Sequence, residues 1–341
     1  MSRPTALGGF KILRPAALLA LHGKDGAQQA PGAICGDLAR EGINIVFLTA
    51  AFHADSFGAS IGIQGDQADR ASPVLNLPAG ITSSGLIKSS IISLFPHRTR
   101  PEITGQLLEI INRKGLSPIA LAQSASAISA AISEETTERL TEALFEPFSF
   151  GPYRTPEDWS LAQKGKEQLY KEVVASYQEK KPKVYGLDWQ NSQAMLSIVM
   201  GGDGFAILSK AFDNLSAAGI PLTFLISTPS GFEDLLLFTF TVPAADNARD
   251  ALLNLLPEGT RKWHGRTAVF YMNGPHFGDR YGIADQIFDT FTAAGINLLA
   301  LSCSVASITG VLPSEDIYSA TEALTNVFEI PCVTGIRECY K

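Results

Sequence analysis

The sequence predicts an α+β protein of four ferredoxin-like βαββαβ repeats, arranged in two tandem pairs and joined by a helical linker. Three observations lead to this prediction. A phrase of helix, glycine and strand recurs four times, the same order of elements surrounds each copy, and a charged helical segment separates the second copy from the third. Internal repeats of this kind define the fold more strongly than any single segment does.

The recurring phrase is a helical stretch that ends in glycine and continues into an apolar strand. Its copies are LAREGINIVFL, INRKGLSPIAL, LSAAGIPLTFL and FTAAGINLLAL, with Gly42, Gly115, Gly219 and Gly295 at the junction. A helix that stops abruptly commonly places glycine at the left-handed position after its last turn, where a side chain is strained. Each copy therefore predicts the end of a helix and the start of a buried strand.

The elements on both sides of each glycine follow one order. In the fourth repeat, residues 266–272, 296–304, 307–312 and 330–336 are predicted strands, and helices are predicted at 281–294 and from Ser314 onward. The third repeat predicts strands at 195–200, 221–228 and 235–242 and helices at 205–218 and 244–256. Both read as βαββαβ, which places the two helices on one face of an antiparallel sheet.

These patterns divide the chain into five segments. We define repeat 1 as residues 1–84, repeat 2 as 85–150, the linker as 151–183, repeat 3 as 184–260 and repeat 4 as 261–341. In the linker, Thr155 and Pro156 predict a helix start, and the helix is expected to run to about Glu179. Its apolar stripe predicts packing on a domain or on a second subunit, and we expect a homodimer; the stripe comprises Trp159, Leu169, Val173 and Tyr177.

Composition limits the function classes. The 341 residues include 45% hydrophobic and 18% charged residues, and the net charge is −7. Such an acidic chain lacks the basic surface that nucleic acid or an anionic membrane requires, so neither partner is expected. No signal peptide or membrane span is predicted, and the four dispersed cysteines indicate reduced thiols in a cytoplasmic protein. No cofactor and no metal site is expected.

The fourth repeat, YGIADQIFDTFTAAGINLLALSCSVASITGVLPSEDIYSATEALTNVFEI, resembles an ACT domain of the aspartate kinase regulatory type. The stretch KVYGLDWQNSQAMLSIVM (183–200) is similar to the segment that leads into the ACT pair of aspartate kinases. The K-F-G-G-T/S motif of their kinase domain does not occur in this sequence. The resemblance therefore implies the regulatory part alone: a non-catalytic protein, not an enzyme, that binds an amino acid and controls a partner enzyme.

In ACT pairs the effector lies between two units, beside the start of one unit's first helix and the second strand of its neighbour. Helix N-termini offer unpaired N–H groups that favour a carboxylate. The resemblance implies ligand-binding residues in repeats 4, 3 and 1. They are Asp279, Tyr281, Gly282, Ile283, Asn297 and Leu298, then Asp203, Gly204, Phe205 and Ile207, then Asp25, Gly26, Gln28 and Asn44.

Other interpretations of these residues stay open. The glycines could serve turns, and Asp203 and Asp279 could cap helices. In repeat 2, FPHRTRPEI offers His97, Arg98 and Arg100, either as an anion site or as a solvated cluster.

Two other functions also stay open. One is a partner-binding or structural subunit with inactive sites, in which Phe205 and Phe277 would fill the interfaces. The other is an enzyme with an unrecognised site. No P-loop, HExxH or GxSxG motif occurs, and the sequence does not name the amino acid.

Overall fold

We describe the protein from a computed structural model. It describes residues 4–24, 27–75, 77–151, 153, 155–163, 181–257, 261–274, 280–304 and 307–335, with the backbone alone for 160–163. In these ranges none of the helices is long and apolar enough to cross a membrane. Cys35, Cys303 and Cys332 are free thiols, and Cys339 lies outside the described residues.

The strands of repeats 1 and 2 come first in the chain. They are β1 (Thr5–Leu7), β2 (Gly9–Lys24), β3 (Ile45–His53), β4 (Ser56–Gln64), β5 (Ile81–Phe95), β6 (Ala120–Gln123), β7 (Ile128–Ser133) and β8 (Phe148–Phe150). Repeats 3 and 4 supply β9 (Gly186–Met200), β10 (Phe224–Pro229), β11 (Leu236–Pro243), β12 (Arg261–Asn273), β13 (Ala300–Ser304), β14 (Ser307–Pro313) and β15 (Val333–Thr334).

The helices lie between these strands. They are α1 (Ala30–Arg40), α2 (Ala68–Ala71), α3 (Pro101–Arg113), α4 (Thr137–Leu144), α5 (Pro156–Gln163), α6 (Gly204–Ala217), α7 (Asp246–Leu253), α8 (Ile283–Ala293) and α9 (Ile317–Val327). The helix predicted at 205–218 thus lies within one residue of α6, and the one predicted at 281–294 begins two residues later, as α8. The predicted strand 330–336 is much shorter, because only β15 pairs with a neighbour, the parallel strand β9.

The four repeat glycines end helices as predicted. Gly42, Gly115, Gly219 and Gly295 have φ between +58° and +67°. After α1, the Gly42 N–H donates to the Ala39 carbonyl and the Ile43 N–H to the Leu38 carbonyl, which closes the last helical turn. Equivalent hydrogen bonds follow α3, α6 and α8. This turn sends each chain directly from a helix toward the next strand.

The predicted arrangement of four units in two tandem pairs is wrong. Thirteen strands form one sheet, in the order β11-β10-β6-β7-β5-β2-β4-β3-β13-β14-β12-β9-β15. β9 also pairs with β11, so all strands of this sheet except β15 form a closed circuit. Repeat 1 joins repeat 4 through β3 and β13, and repeat 2 joins repeat 3 through β6 and β10. Each repeat therefore has neighbours on both sides. The sequence does not specify which strand edges pair between repeats, so the repeats alone could not predict this closure.

Helices cover the outside of this circuit in two groups. α1 packs beside α8, over a core shared by repeats 1 and 4, and α3 packs beside α6, over a core shared by repeats 2 and 3. Two smaller apolar clusters contain no helical residue and lie between facing strands. β10 packs there against β3 and β4 without pairing with them, and the Thr49 hydroxyl donates to the Ser227 carbonyl at 3.0 Å. The circuit is therefore a flattened ring with a filled interior.

The linker prediction is only partly within the described residues. α5 begins at Pro156, as expected from the Thr155-Pro156 pair, and Trp159 stacks on Phe10 with ring centroids 4.4 Å apart. The predicted continuation with Leu169, Val173 and Tyr177 lies outside the described residues. The described turn of the linker thus packs on repeats 1 and 2, where Phe10 also contacts Phe150.

A glycine-to-alanine pair tests the face-to-face packing of β4 on β10. A Cβ at Gly58 would lie 2.5 Å from the Pro229 carbonyl oxygen and 2.6 Å from Thr228 Oγ1, whereas a Cβ at Gly265 meets no atom within 4 Å. We expect Gly58→Ala to lower the free energy of unfolding by about 1–3 kcal/mol through overpacking. Urea denaturation measures this, with Gly265→Ala as the matched control. Equal effects of the two substitutions would contradict the packing.

Candidate functional site

A narrow cleft opens where repeat 1 meets repeat 4. Its interior cavity has a volume of about 20 Å³, and the wider hollow around it, about 370 Å³ in all, includes open solvent. Its walls come from the lead into β3, the start of α8, and the hairpin formed by β13 and β14. The lining residues are Asn44, Ile45, Val46, Arg280, Gly282, Ile283, Ala284, Cys303, Ser304, Ser307 and Ile308. The β3–β13 pairing, with Thr49 opposite Ser302, brings these distant segments together.

The start of α8 supplies backbone donors to this cleft. Gly282 precedes the helix with a φ of +84°, a left-handed conformation that a side chain would strain. Its carbonyl accepts the Gln286 N–H at 3.0 Å, and as a glycine it has no side chain that could cap the first turn. The N–H groups of a helix's first turn have no partner inside the helix, and the helix dipole makes this end positive. A carboxylate in the cleft would meet these N–H groups and the positive end of the helix dipole.

The opposite wall is fixed by the turn after α1. Gly42 ends the helix, and the chain then places Asn44 at the repeat interface, where the residue is buried. The Asn44 N–H donates to Gln67 Oε1 at 3.3 Å, which links this wall to the turn before α2. The end of α1, Gly42 and the Gln67 acceptor together place Asn44 opposite the start of α8.

Hydroxyl groups form the base of the cleft. Ser304 and Ser307 lie at the ends of β13 and β14 and are both buried. The neighbouring Cys303 thiol is neutral, because burial raises its pKa to about 12. Arg280 is the cationic residue of the lining, and none of the lining residues given above is acidic. The cleft therefore combines a positive charge, helix-end donors and neutral polar groups, which suits a small molecule bearing a carboxylate.

Three predicted site residues line this cleft together. Gly282 and Ile283 come from repeat 4 and Asn44 from repeat 1. Tyr281 lies beside them, with 47% of its surface exposed, and does not line the cleft. Asp279, Asp25 and Gly26 are outside the described residues.

Asn297, Leu298 and Gln28 lie away from the cleft, on the opposite side of the junction of repeats 1 and 4. The Asn297 N–H donates to the carboxylate of Asp316. The side-chain amide of Gln28 donates to the carbonyls of His53 and Ala54, at 3.1 and 2.8 Å, and so holds the turn between β3 and β4. These interactions are structural.

The residues predicted in repeat 3 are not brought to a cleft. Phe205 is buried and packs edge-on against Phe238, with ring centroids 5.8 Å apart. A Cβ at Gly204 would lie 2.7 Å from Met200 Sδ, so close packing explains this glycine. Asp203 makes no side-chain cap to α6, and Ile207 packs against the core.

At the junction of repeats 2 and 3, the chain itself fills the place that corresponds to the cleft. The Leu222 N–H donates to the Thr99 carbonyl at 3.0 Å, and the Gln123 amide donates to the Leu222 carbonyl at 2.8 Å. Leu222 stands three residues after Gly219, as Ile45 does after Gly42. The loop 97–100 therefore occupies the place beside a helix start at this junction, and the corresponding loop of repeat 4 includes residues 275–279, which lie outside the described residues.

Buried His97 anchors this loop. Its Nε2 lies 2.9 Å from Thr104 Oγ1, and within the described structure its Nδ1 has no hydrogen-bond partner. Burial, with a smaller effect of Arg100, lowers the pKa of His97 to about 3. His97 is therefore neutral and structural, and Arg100 pairs with Glu102 at 2.6 Å. This arrangement favours neither a solvated cluster nor an anion site at His97.

Several lining residues were missed from the sequence. Arg280 stands between the predicted site residues Asp279 and Tyr281, but nothing in the sequence pattern favoured it over them. Cys303, Ser304, Ser307 and Ile308 come from a hairpin whose small polar residues are equally typical of a buried strand pair. Only the closure of the sheet shows that this hairpin faces the start of α8 and the lead into β3.

Solved structures that resemble this chain include aspartate kinases. The aspartate kinase from Synechocystis superposes with a TM-score of 0.73 and 17% identity, over 96% of this chain and 57% of that chain. The regulatory subunit of the Thermus thermophilus aspartate kinase, in its ligand-free form, matches 42% of this chain and 98% of its own, at 23% identity and a TM-score of 0.38. The Clostridium acetobutylicum aspartate kinase matches 45% of this chain and 37% of its own, at 14% identity and a TM-score of 0.38. No protein-family model and no curated protein matches the sequence.

The first match corrects the functional predictions. It takes in nearly all of this chain and is to an aspartate kinase. The predictions of an isolated ACT regulatory region without the kinase, of a non-catalytic protein and of a non-enzyme are therefore wrong. They relied on local repeats and on missing motifs, and a site can be assembled from residues that form no motif. At this identity the likeness shows the fold, and the chain spans 57% of the kinase chain that it matches.

The buried histidine gives a pH prediction. In the unfolded chain the pKa of His97 is about 6.5, and in the native protein it is about 3. Between these values the unfolded state binds a proton that the native state does not, so stability falls as the pH is lowered through this window. The proton taken up by His97 in the unfolded state lowers the free energy of unfolding by at most about 1.4 kcal/mol per pH unit. Urea denaturation at pH 7 and pH 5 measures the loss.

The matched variant for this test is His97→Gln, which keeps a polar side chain but cannot take up a proton. We expect the variant to lose less stability than the native protein between the two pH values. It should retain the part due to His53, whose pKa burial lowers to about 4. An unchanged pH dependence in the variant would show that His97 is not the responsible group.

Proposed function

We propose that this chain works within an enzyme of the aspartate kinase type, and that its cleft binds a free amino acid through the carboxylate. An aspartate kinase transfers the terminal phosphoryl group of ATP to the side-chain carboxylate of aspartate, giving aspartyl phosphate and ADP. The similarity of fold to an aspartate kinase over nearly the whole chain supports the first part. We assign the binding of the amino acid, and not the transfer step, to the described cleft.

One observation carries the second part of the proposal. The uncapped start of α8, Arg280 and the Asn44 wall converge on a single cleft at the junction of repeats 1 and 4. The first-turn N–H groups and the guanidinium suit a carboxylate, because charge-assisted hydrogen bonds are among the stronger ones in proteins. The hydroxyls of Ser304 and Ser307 and the Asn44 side chain supply neutral polar groups for the rest of a small amino acid.

A ligand screen tests the binding site. A compound that binds only the native state raises the melting temperature, by about 2.7 kcal/mol of stability at a hundredfold excess over its Kd. We expect at least one of the twenty amino acids to raise it, and Arg280→Gln to weaken that amino acid about tenfold through loss of a charge-assisted hydrogen bond. Titration calorimetry measures the Kd.

The matched control is Arg266→Gln, the same substitution at an exposed arginine of repeat 4 outside the cleft. Its Kd should equal that of the native protein. A tenfold loss in both variants would place the effect outside the cleft, and the absence of any amino-acid response in the native protein would refute the binding site.

Purification from the native source tests the kinase assignment. ATP-dependent phosphorylation of L-aspartate, trapped as the hydroxamate, should co-elute with this chain on gel filtration, in whatever assembly the chain occupies. The same column tests the predicted homodimer. Fractions that contain the chain but form no hydroxamate above the ATP-free control would refute the kinase assignment without affecting the ligand screen.

A further inference from the structure

Ser307 connects the cleft to a second repeat junction. Ser307 is one of the residues that line the cleft, and its hydroxyl donates to the Ser124 hydroxyl at 3.1 Å, across 183 residues of sequence. Ser124 directly follows β6 and is almost fully buried, with 2% of its surface exposed. A buried hydrogen bond between two hydroxyls is sensitive to any competing acceptor, because a serine hydroxyl has a single hydrogen to donate.

Ser124 organises the tip of the hairpin between β6 and β7. Its N–H donates to the Ala127 carbonyl at 2.8 Å, and its hydroxyl lies 2.9 Å from that of Ser126. The same hydroxyl oxygen accepts the N–H groups of Ser126 and Ala127, each at 3.3 Å. The position of the Ser124 oxygen therefore holds the backbone of this tip.

The hairpin tip in turn holds the loop 97–100. The His97 N–H donates to the Ser126 carbonyl at 3.1 Å and the Arg98 N–H to the Ala125 carbonyl at 2.7 Å. Arg98 and Thr99 both have a φ of +55°, a strained conformation that persists only where neighbours enforce it. Thr99 then accepts the Leu222 N–H at the junction of repeats 2 and 3. Hydrogen bonds and the backbone of the loop 97–100 thus connect the cleft to the junction of repeats 2 and 3.

We propose that an amino acid in the cleft loosens the junction of repeats 2 and 3 through Ser307 and Ser124, an inference that rests on the proposed carboxylate site. A carboxylate is a stronger acceptor than a hydroxyl, so Ser307 turns its hydrogen to the ligand. The hydrogen bond that anchors Ser124 to β14 is then lost, so the hairpin tip can shift as a unit and the loop 97–100 is held less tightly. The two junctions become thermodynamically coupled, although one of them binds no ligand.

Hydrogen exchange on the full chain tests this coupling. The reporters are the N–H groups of His97, Arg98 and Leu222, and the cleft probes are those of Ile283 and Ala284. L-threonine, L-lysine and L-aspartate serve as ligands of neutral, basic and acidic side chain. The active ligand should slow exchange at the cleft probes and speed it at the reporters by about threefold or more, the size of ordinary couplings between sites.

Two serine variants separate the hydrogen-bonded route from general loosening. Ser124→Ala, which leaves the cleft lining intact, should show fast reporter exchange without ligand and no further change with it. Ser129→Ala removes a hydroxyl from another buried serine pair, Ser93 and Ser129 at 2.7 Å, and should keep the native response. If Ser124→Ala responds like the native protein, or Ser129→Ala loses the response, the inference is overturned.

The outcomes also distinguish this inference from the function on which it rests. Slower exchange at the cleft probes with unchanged or slower exchange at the reporters overturns the coupling and leaves the carboxylate site standing. No change at the cleft probes with any of the three ligands overturns the coupling together with the binding of these amino acids.

Discussion

Strand pairing between repeats that are distant in sequence is the constraint on which the rest of the structure depends. β3 pairs with β13, and β6 pairs with β10, and these two contacts close the sheet into a circuit. Closure removes free strand edges, which otherwise invite association with other chains. It also creates the cleft, since Asn44 and Gly282 are brought together by the β3–β13 contact and by no local feature of either segment.

Local features of the fold could be predicted, and long-range ones could not. The glycines after four helices and the helix at 205–218 follow from backbone strain and apolar periodicity, which act within a few residues. The order of strands depends on which edges meet, and neighbouring repeats with similar strands leave that choice open. The site shows the same division. Gly282 and Ile283 were predicted from their place at a helix start and Asn44 from its place on the second strand, and all three line the cleft. Gly204 and Phe205 also lie at a helix start but are packed into the core.

The two junctions are built from equivalent elements but contain different residues. Asn44 follows Gly42 by two residues, and Pro221 follows Gly219 by two, so repeat 3 lacks both a side-chain amide and a backbone donor at this position. At the junction with repeat 2, the Thr99 carbonyl meets Leu222 directly. Among the described residues, a cleft lies at the first junction, and Thr99 and Leu222 fill the corresponding place at the second.

A crystal structure of the protein grown with the amino acid that raises its melting temperature most tests the central claim directly. The claim predicts β3 paired with β13 and the ligand carboxylate at the start of α8, within hydrogen-bond distance of the first-turn N–H groups and of Arg280. A ligand bound elsewhere, or an unpaired β3 edge with no cleft between Asn44 and Gly282, would contradict it.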